Sequence, residues 1–239
     1  MVERAIVVGA SSGIGEAIAR ELAEAGVTLG LTARREERLE AIATDLPTEA
    51  NVARMDVTET ETARETFEDL AAAMGPVDLV VLNAGIGRQN RELAWKPERD
   101  TIDVNVRGFV ALATAAVEHF EETGGGHLVG ISSVAAHLGN GAVPAYHASK
   151  AYVSNYLEGL RYRQRGRSPT IHVTTVEPGY VDTDLSMGSF WECSVETAAS
   201  QIVRAIERRR KHVYVTRRWR LVAWALELLP ERILGRSMR

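Results

Sequence analysis

Short apolar runs alternate with segments of helical periodicity along the whole chain. The runs fall at residues 5–8, 27–32, 51–55, 79–82, 127–131, 171–176 and 213–215. Most are apolar at consecutive positions, the pattern of strands covered on both faces. Between them, positions 16–25, 36–44, 59–73, 97–122, 145–165 and 195–210 repeat apolar residues at intervals of three and four, as helices with one buried face do. Gly26, Gly75-Pro76 and Gly124-Gly125-Gly126 close three of these helices. Strand and helix in regular alternation predict βαβ units in an α/β fold, a doubly wound sheet of seven parallel strands with helices on both faces. The stretch 180–194 is the least regular, and a loop of that length on a rigid sheet often serves as a lid. A last helical pattern covers 218–229, with Leu221, Val222, Ala225, Leu228 and Leu229 as its stripe and Pro230 as its stop.

Composition narrows the class without changing the architecture. The chain has 239 residues, 45% hydrophobic and 25% charged, which suits one globular domain and excludes disordered, collagenous and disulfide-rich classes. Residues 1–216 read as that domain and 217–239 as a helical extension belonging to it, with no repeat, low-complexity tract or linker between. Cys193 is the single cysteine, so no internal disulfide forms, which fits a reducing, cytoplasmic setting. The start enters its first strand directly, without the pattern of a leader peptide, and no run approaches the ~18 apolar residues of a membrane span. A net charge of −4 argues against nucleic acid as a partner. The Arg208-Arg209-Arg210-Lys211 run reads as the end of a helix meeting solvent, since no aromatic platform accompanies it.

The first strand runs into Gly9-Ala10-Ser11-Ser12-Gly13-Ile14-Gly15. Glycines there let the backbone turn tightly and approach a pyrophosphate at the N-terminus of the next helix, although a plain strand-to-helix turn uses glycine too. About 20 residues on, at the end of the second strand, dinucleotide folds carry an acid that holds the ribose hydroxyls. Ala33-Arg34-Arg35 stands at that place. Arg34 suits a 2′-phosphate through charge-assisted hydrogen bonds, so the expected cofactor is NADP, while Arg35 reads as a solvated residue opening the next helix.

Tyr146 and Lys150 stand four apart in a helix and share a face. A phenol titrates near pH 10; bringing it to neutrality takes about 3 units, roughly 4 kcal/mol, and a neighbouring ammonium supplies part of that. Such a Tyr exchanges a proton with a carbonyl or alcohol oxygen. A solvent-facing Tyr beside a surface Lys has the same spacing, so the pair gains meaning from its company. Asn83-Ala84-Gly85 ends the fourth strand, Ser133 the fifth and Pro178-Gly179-Tyr180-Val181-Asp182-Thr183 the sixth, with Asn105 in the long helix. In an open parallel sheet the ligand crevice lies at these carboxyl ends.

In that order and spacing, over roughly residues 4–216, these motifs resemble the short-chain dehydrogenase/reductase family, whose fold is a single Rossmann-type domain. The resemblance implies Tyr146 as general acid or base, Lys150 as ribose ligand and tuner of Tyr146, Ser133 as the group orienting the substrate oxygen, and Asn105 as anchor of a proton relay. Ser132 is the rival serine, but the family's spacing selects Ser133. The cofactor residues carried over are Gly9, Ser11, Ser12, Gly13, Ile14 and Gly15; Asp56 and Val57 at the adenine; Asn83, Ala84 and Gly85 along the cleft; Tyr146, Lys150, Pro178, Gly179, Val181 and Thr183. Val8 and Leu82 replace a Thr and an Asn usual in the family, side chains that chiefly tie strands together.

The resulting expectation is an NADP-dependent oxidoreductase acting on a ketone, an aldehyde or a secondary alcohol. A 3-oxoacyl reductase of fatty-acid synthesis and a catalytically idle dinucleotide sensor or scaffold are the alternatives; the complete Asn105, Ser133, Tyr146 and Lys150 set argues against the latter. Leu138, Val143, Tyr180, Leu185, Met187, Phe190 and Trp191 are pocket candidates pointing to an apolar substrate. His137 lies in the same segment; the other histidines lack metal-ligand spacing, and no metal is expected. The resemblance implies pairing through the helices 97–122 and 145–165, on which Val110, Leu112, Val117, Phe120, Tyr152, Tyr156 and Leu160 are shared between the sheet and a two-fold interface, so a homodimer or homotetramer is expected. The tail, with Trp219 and Trp224 among its arginines, reads first as packing on the core or a subunit and second as a membrane contact.

Overall fold

The computed structural model describes residues 2–186, 188 and 190–228. Met187 and the tail positions Leu229, Pro230, Arg232 and Arg236 lie outside them. Seven strands, β1 (Arg4–Val8), β2 (Thr28–Ala33), β3 (Ala50–Arg54), β4 (Leu79–Leu82), β5 (Gly126–Ile131), β6 (Ile171–Pro178) and β7 (His212–Val215), form one parallel sheet in the order β3-β2-β1-β4-β5-β6-β7. The order reverses between β1 and β4, which separates the loops leaving their carboxyl ends and opens a crevice there.

Alternation along each strand feeds two cores. Ile6, Val8, Val80 and Leu82 face one side with Phe67, Leu112, Phe120 and Leu157. That side is covered by α3 (Thr60–Met74), α5 (Phe109–Thr123) and α6 (Pro144–Arg163). Ala5, Val7, Leu79 and Val81 face the other with Ile18, Leu22, Leu39 and Ile202, under α1 (Gly13–Glu24), α2 (Glu36–Asp45) and α7 (Val195–Glu207). Helix ends follow local chemistry: Ser194 caps α7 by accepting from Thr197 N at 3.2 Å, and Gly124 ends α5 at φ 98°.

The long helix expected at 97–122 is one continuous helical stretch with a change of winding inside it. Between α4 (Trp95–Ile102) and α5, residues Asp103–Gly108 make a π-helical segment. Such bulges are often placed at functional sites, and this one contains Asn105. The Arg208–Lys211 run lies past the end of α7, with Arg209 in the left-handed region at φ 49°, and is the turn into β7.

The final helix, α8 (Trp219–Leu228), corrects the expected stripe. Trp219 is 5% exposed and Ala223 is buried, whereas Leu221 is 62% exposed and Trp224 52%. Trp219 packs so closely on Gly179 that a Cβ at 179 would collide with the indole, and it meets Tyr180 edge-on at 5.6 Å. Packing is therefore decided by one buried Trp, while Leu221 and Ala225 of the expected stripe point outward and Val222 is half-buried.

Candidate active site

The turn after β1 is built from backbone hydrogen bonds. Gly9 N and Ala10 N both donate to Thr32 O, at 2.8 and 3.1 Å, and Asn83 Nδ2 donates to Gly9 O at 2.9 Å. Gly9 has φ +83°, and a Cβ on it would lie 2.7 Å from Ala84 N, so only glycine fits. Gly15 packs against Gly9 O. Gly13, at φ +58°, starts α1 with the Thr183 methyl close by, which brings the loop after β6 onto the glycine turn.

A cleft of about 230 Å³ runs from this turn across the sheet. Gly9, Ser11, Ser12, Gly13, Ile14, Arg34, Asp56, Val57, Asn83, Ala84, Gly85 and Thr183 all line it, as do Arg35, Ile86 and Leu185. A turn with no side chain where the backbone approaches, opening an α-helix N-terminus beside two arginines, fits the phosphates of a dinucleotide. Pro178, Gly179 and Val181 do not line this cleft. Pro178 O accepts from Ser133 Oγ at 3.4 Å, Gly179 supports Trp219, and Val181 is buried in a bridge to Cys193.

Arg35 departs from the solvated residue expected. Its Nη2 donates to Ser11 Oγ and Ser12 Oγ, both at 2.9 Å, so it braces the glycine turn while Arg34 stays exposed on the rim. Asp56 Oδ1 accepts from Thr58 N and Thr58 Oγ1, at 3.0 and 2.8 Å.

Asn105, Ser133, Tyr146 and Lys150 converge behind the cleft. A Cβ on Gly85 would sit 3.3 Å from Lys150 Nζ and 3.5 Å from Asn105 Oδ1; on Gly87 it would sit 2.9 Å from the Tyr146 ring. The Asn105 amide is fully engaged: Oδ1 accepts from Ile86 N at 2.8 Å, and Nδ2 donates to Ile86 O at 2.8 Å and Ser149 Oγ at 2.9 Å. Ser149 Oγ donates in turn to Tyr146 O at 2.7 Å. The two serines separate cleanly. Ser133 stands beside the Tyr146 phenol and favours its ionised form, with its Oγ donating to Pro178 O at 3.4 Å, whereas Ser132 Oγ donates to Lys150 O at 2.8 Å, away from the phenol.

The electrostatics differ from the simple picture of an ammonium lowering a phenol. Lys150 is 4% exposed and its Nζ donates to Ile131 O at 2.9 Å; burial brings its ammonium down to about 8. Its Nζ lies 5.8 Å from the Tyr146 ring centroid. Burial pushes the Tyr146 phenol up, and the Ser133 hydrogen bond works the other way. The phenol in this arrangement is held protonated, facing the cleft end next to Leu185 and Gly87.

Behind Ser133 lies a buried polar chain unforeseen from the sequence. Ser154 Oγ lies 2.8 Å from Ser132 Oγ and donates its hydrogen to Glu177 Oε1 at 2.6 Å. Glu177 Oε2 meets His137 Nε2 at 2.6 Å and His212 Nε2 at 3.1 Å. His137, expected toward the substrate, is thus engaged with a carboxylate whose side chain is 1% exposed. Burial raises the Glu177 pKa, but the bonds from His137, His212 and Ser154 prevail and hold it at about 2. Among the other pocket candidates, Val143 is buried, Phe190 and Trp191 are exposed, and Leu138, Tyr180 and Leu185 are half-buried. Ser149 and Ile86 went unmarked in the sequence, and Arg35 was read there only as a solvated residue. Ser149 stands inside the Tyr-x-x-x-Lys motif, but only tertiary contact gives it a partner. Among the described residues no cluster of three His, Cys, Asp or Glu is arranged to hold a metal ion.

Comparison with known proteins agrees with this arrangement. Residues 3–193 match the family model for short chain dehydrogenase. An uncharacterized oxidoreductase of Myxococcus xanthus is 39% identical over 188 residues, 76% of this chain and 73% of the relative. A farnesol dehydrogenase of Aedes aegypti is 36% identical over 191 residues, 76% of this chain and 78% of the relative. Among solved structures, an alcohol dehydrogenase from Thermococcus sibiricus complexed with 5-hydroxy-NADP superposes with a TM-score of 0.78 at 28% identity, covering 90% of this chain and 94% of that one. With the parallel sheet, the glycine turn and the Ser, Tyr and Lys gathered at one end of it, the chain belongs to the short-chain dehydrogenase/reductase family, oxidoreductases that bind a nicotinamide dinucleotide.

Proposed function

We propose that the protein is an NADP-dependent oxidoreductase that reduces an apolar ketone or aldehyde, or oxidises the corresponding secondary alcohol. The observation that carries this reading is the convergence of Tyr146, Ser133 and Lys150 at the end of a cleft whose other end holds Arg34 and Arg35 where an acid would bind a ribose diol. A nicotinamide dinucleotide held by the glycine turn, Arg34 and Asp56 would supply the hydride that adds to the carbonyl carbon, or take it up in the reverse direction. Tyr146, kept protonated by burial, gives its phenolic proton to the carbonyl oxygen as charge develops there, and takes a proton back from solvent once the product has left the cleft. Ser133 directs its hydroxyl toward the same oxygen and fixes the phenol's orientation. Lys150 holds the ribose and places a positive charge beneath the site, raising the tendency of the phenol to release its proton. Asn105, clasped by Ile86 and Ser149, keeps the helix bearing Tyr146 in register with the end of β4.

The apolar character of the substrate is supported by Leu185 against Tyr146, by Leu138 nearby in the chain, and by the likeness to a farnesol dehydrogenase. The test is a panel of aliphatic, terpenoid and small polar carbonyls with NADPH, followed by loss of nicotinamide absorbance. Turnover of apolar ketones or aldehydes with NADPH, several-fold weaker with NADH, is expected. Turnover confined to polar substrates, or a preference for NADH, would overturn the corresponding part of the reading.

A further inference from the structure

The free edge of the sheet at β7 carries charge and apolar surface that the oxidoreductase reading leaves unused. A cleft of about 1130 Å³ lies among α7, β7 and α8, lined by Arg204, Arg208, Arg210, Arg217, Arg218 and Arg220. The whole chain is acidic at −4, so this is a local reversal of sign. Among the described residues, none of the six pairs with a carboxylate. Arg218 donates to Trp191 O at 2.8 Å and lies 5.2 Å over its ring, and Arg220 lies 5.1 Å over Trp224.

Exposed apolar side chains stand among these arginines. Leu221 and Trp224, three apart on α8, point away from the buried Trp219 and Ala223. On the adjoining loop, Phe190 is 59% exposed and Trp191 41%; they stack at 4.6 Å and both touch Trp219. Solvated singly such residues are ordinary, but grouped beside unpaired arginines they mark an interaction surface. Trp and Leu suit the boundary between headgroups and acyl chains, and guanidinium groups suit the phosphates above it.

We infer that α8 and the loop carrying Phe190 and Trp191 dock this protein peripherally on an anionic lipid surface. No described helix is long and apolar enough to cross a membrane, so the contact is interfacial. A second copy related by a two-fold axis through this face would bring the arginines against their own images, which like charge opposes. The inference is independent of the cofactor and substrate proposed above.

The experiment is sedimentation of the full chain with vesicles of phosphatidylcholine alone and of phosphatidylcholine containing about one third phosphatidylserine. Pelleting with the anionic vesicles only, lost as salt is raised, is expected. Leu221→Ser with Trp224→Ser should lower the partition coefficient roughly tenfold or more. Arg217→Gln with Arg220→Gln should lower it roughly 25-fold, about fivefold for each charge. Thermal melting and turnover, both expected at parent values, distinguish these effects from misfolding. Absence of pelleting, equal pelleting with neutral vesicles, or variants that pellet like the parent would overturn the inference. So would variants that change only the oligomeric state, which assigns the face to a second copy, or a lack of vesicle binding alongside capture by an acidic protein.

Discussion

Tyr146 and Lys150 each suffer burial, in opposite senses: the phenol is held protonated and the ammonium is brought to about 8. Both shifts disfavour charge, yet an ammonium near 8 is still largely protonated at neutral pH, so a positive charge stands beside a neutral phenol until the substrate oxygen takes the proton. Tyr146→Phe should therefore lower kcat by about 10²- to 10⁴-fold while NADPH affinity, read from nicotinamide fluorescence, stays near that of the parent. Lys150→Ala should damage both quantities. The two arginines after β2 divide their labour differently from what adjacency suggests. Arg34→Ala removes a charge-assisted contact worth about 1.5 to 3 kcal/mol and should lower kcat/KM with NADPH roughly 10- to 150-fold, leaving NADH nearly unchanged. Arg35→Ala loosens Ser11 and Ser12 and should weaken both cofactors together. Comparing kcat/KM with NADPH and NADH for both variants checks the division.

At the scale of elements, two departures from regularity place the chemistry. The π-helical turn at Asp103–Gly108 re-aims Asn105 into contact with Ile86 and Ser149, a direction that neither adjoining α-helix specifies from its own pattern. Helix α8 is fastened through Trp219 on Gly179, two residues from the bridge between Val181 and Cys193. Truncation after Thr216 removes that buried indole. The expected cost is about 3 to 5 kcal/mol, the range of large aromatic truncations, and a drop in Tm by differential scanning calorimetry reads it. A truncated chain melting with the parent would show that α8 adds nothing to the core.

For the whole molecule, acid stability follows from two buried groups. His127 is 5% exposed, and burial lowers its imidazole to about 4. The unfolded chain takes up a proton near pH 6.5 that the folded chain refuses until about 4, so stability declines as pH falls through that window, by about 3 kcal/mol. Glu177 acts lower down. Its folded-state value near 2 lies below the ordinary carboxylate value of 4.5, so its contribution, of similar size, is present above about pH 4.5 and is lost as pH falls through 2. Urea unfolding between pH 7 and pH 3 should show the first decline start near 6.5, and His127→Gln should flatten it. Association has its own geometry. Leu112, Val117 and Phe120 are buried in the core of the chain itself, which leaves the exposed Tyr152 and the half-buried Tyr156 and Leu160 on α6, with the half-buried Val110 on α5, as the apolar residues that reach the surface. Tyr152 and Tyr156 stack at 5.8 Å, and Tyr152 is 42% exposed. We expect a homodimer or homotetramer through this face; light scattering at micromolar concentration should show it, and Tyr152→Glu should reduce it to a smaller species.

Hydrophobic periodicity was sufficient for the seven parallel strands and the helices between them, because a strand covered on both faces and an amphipathic helix each leave a local signature in residue order. The glycine turn and the Tyr146 and Lys150 pair were likewise legible, since tight turns and shared helix faces depend on short spacings, whereas Ser133 was chosen over Ser132 only by resemblance to the family. Arg35, the amide contacts of Asn105 and the chain from Ser132 to Glu177 were not. Their partners lie 19 to 44 residues away in the bonds concerned, and local spacing carries no record of such meetings. The direction of α8 was decided in the same way: its sequence offers apolar residues on two faces, and the space above Gly179 accepts the indole of Trp219, turning Leu221 and Trp224 outward.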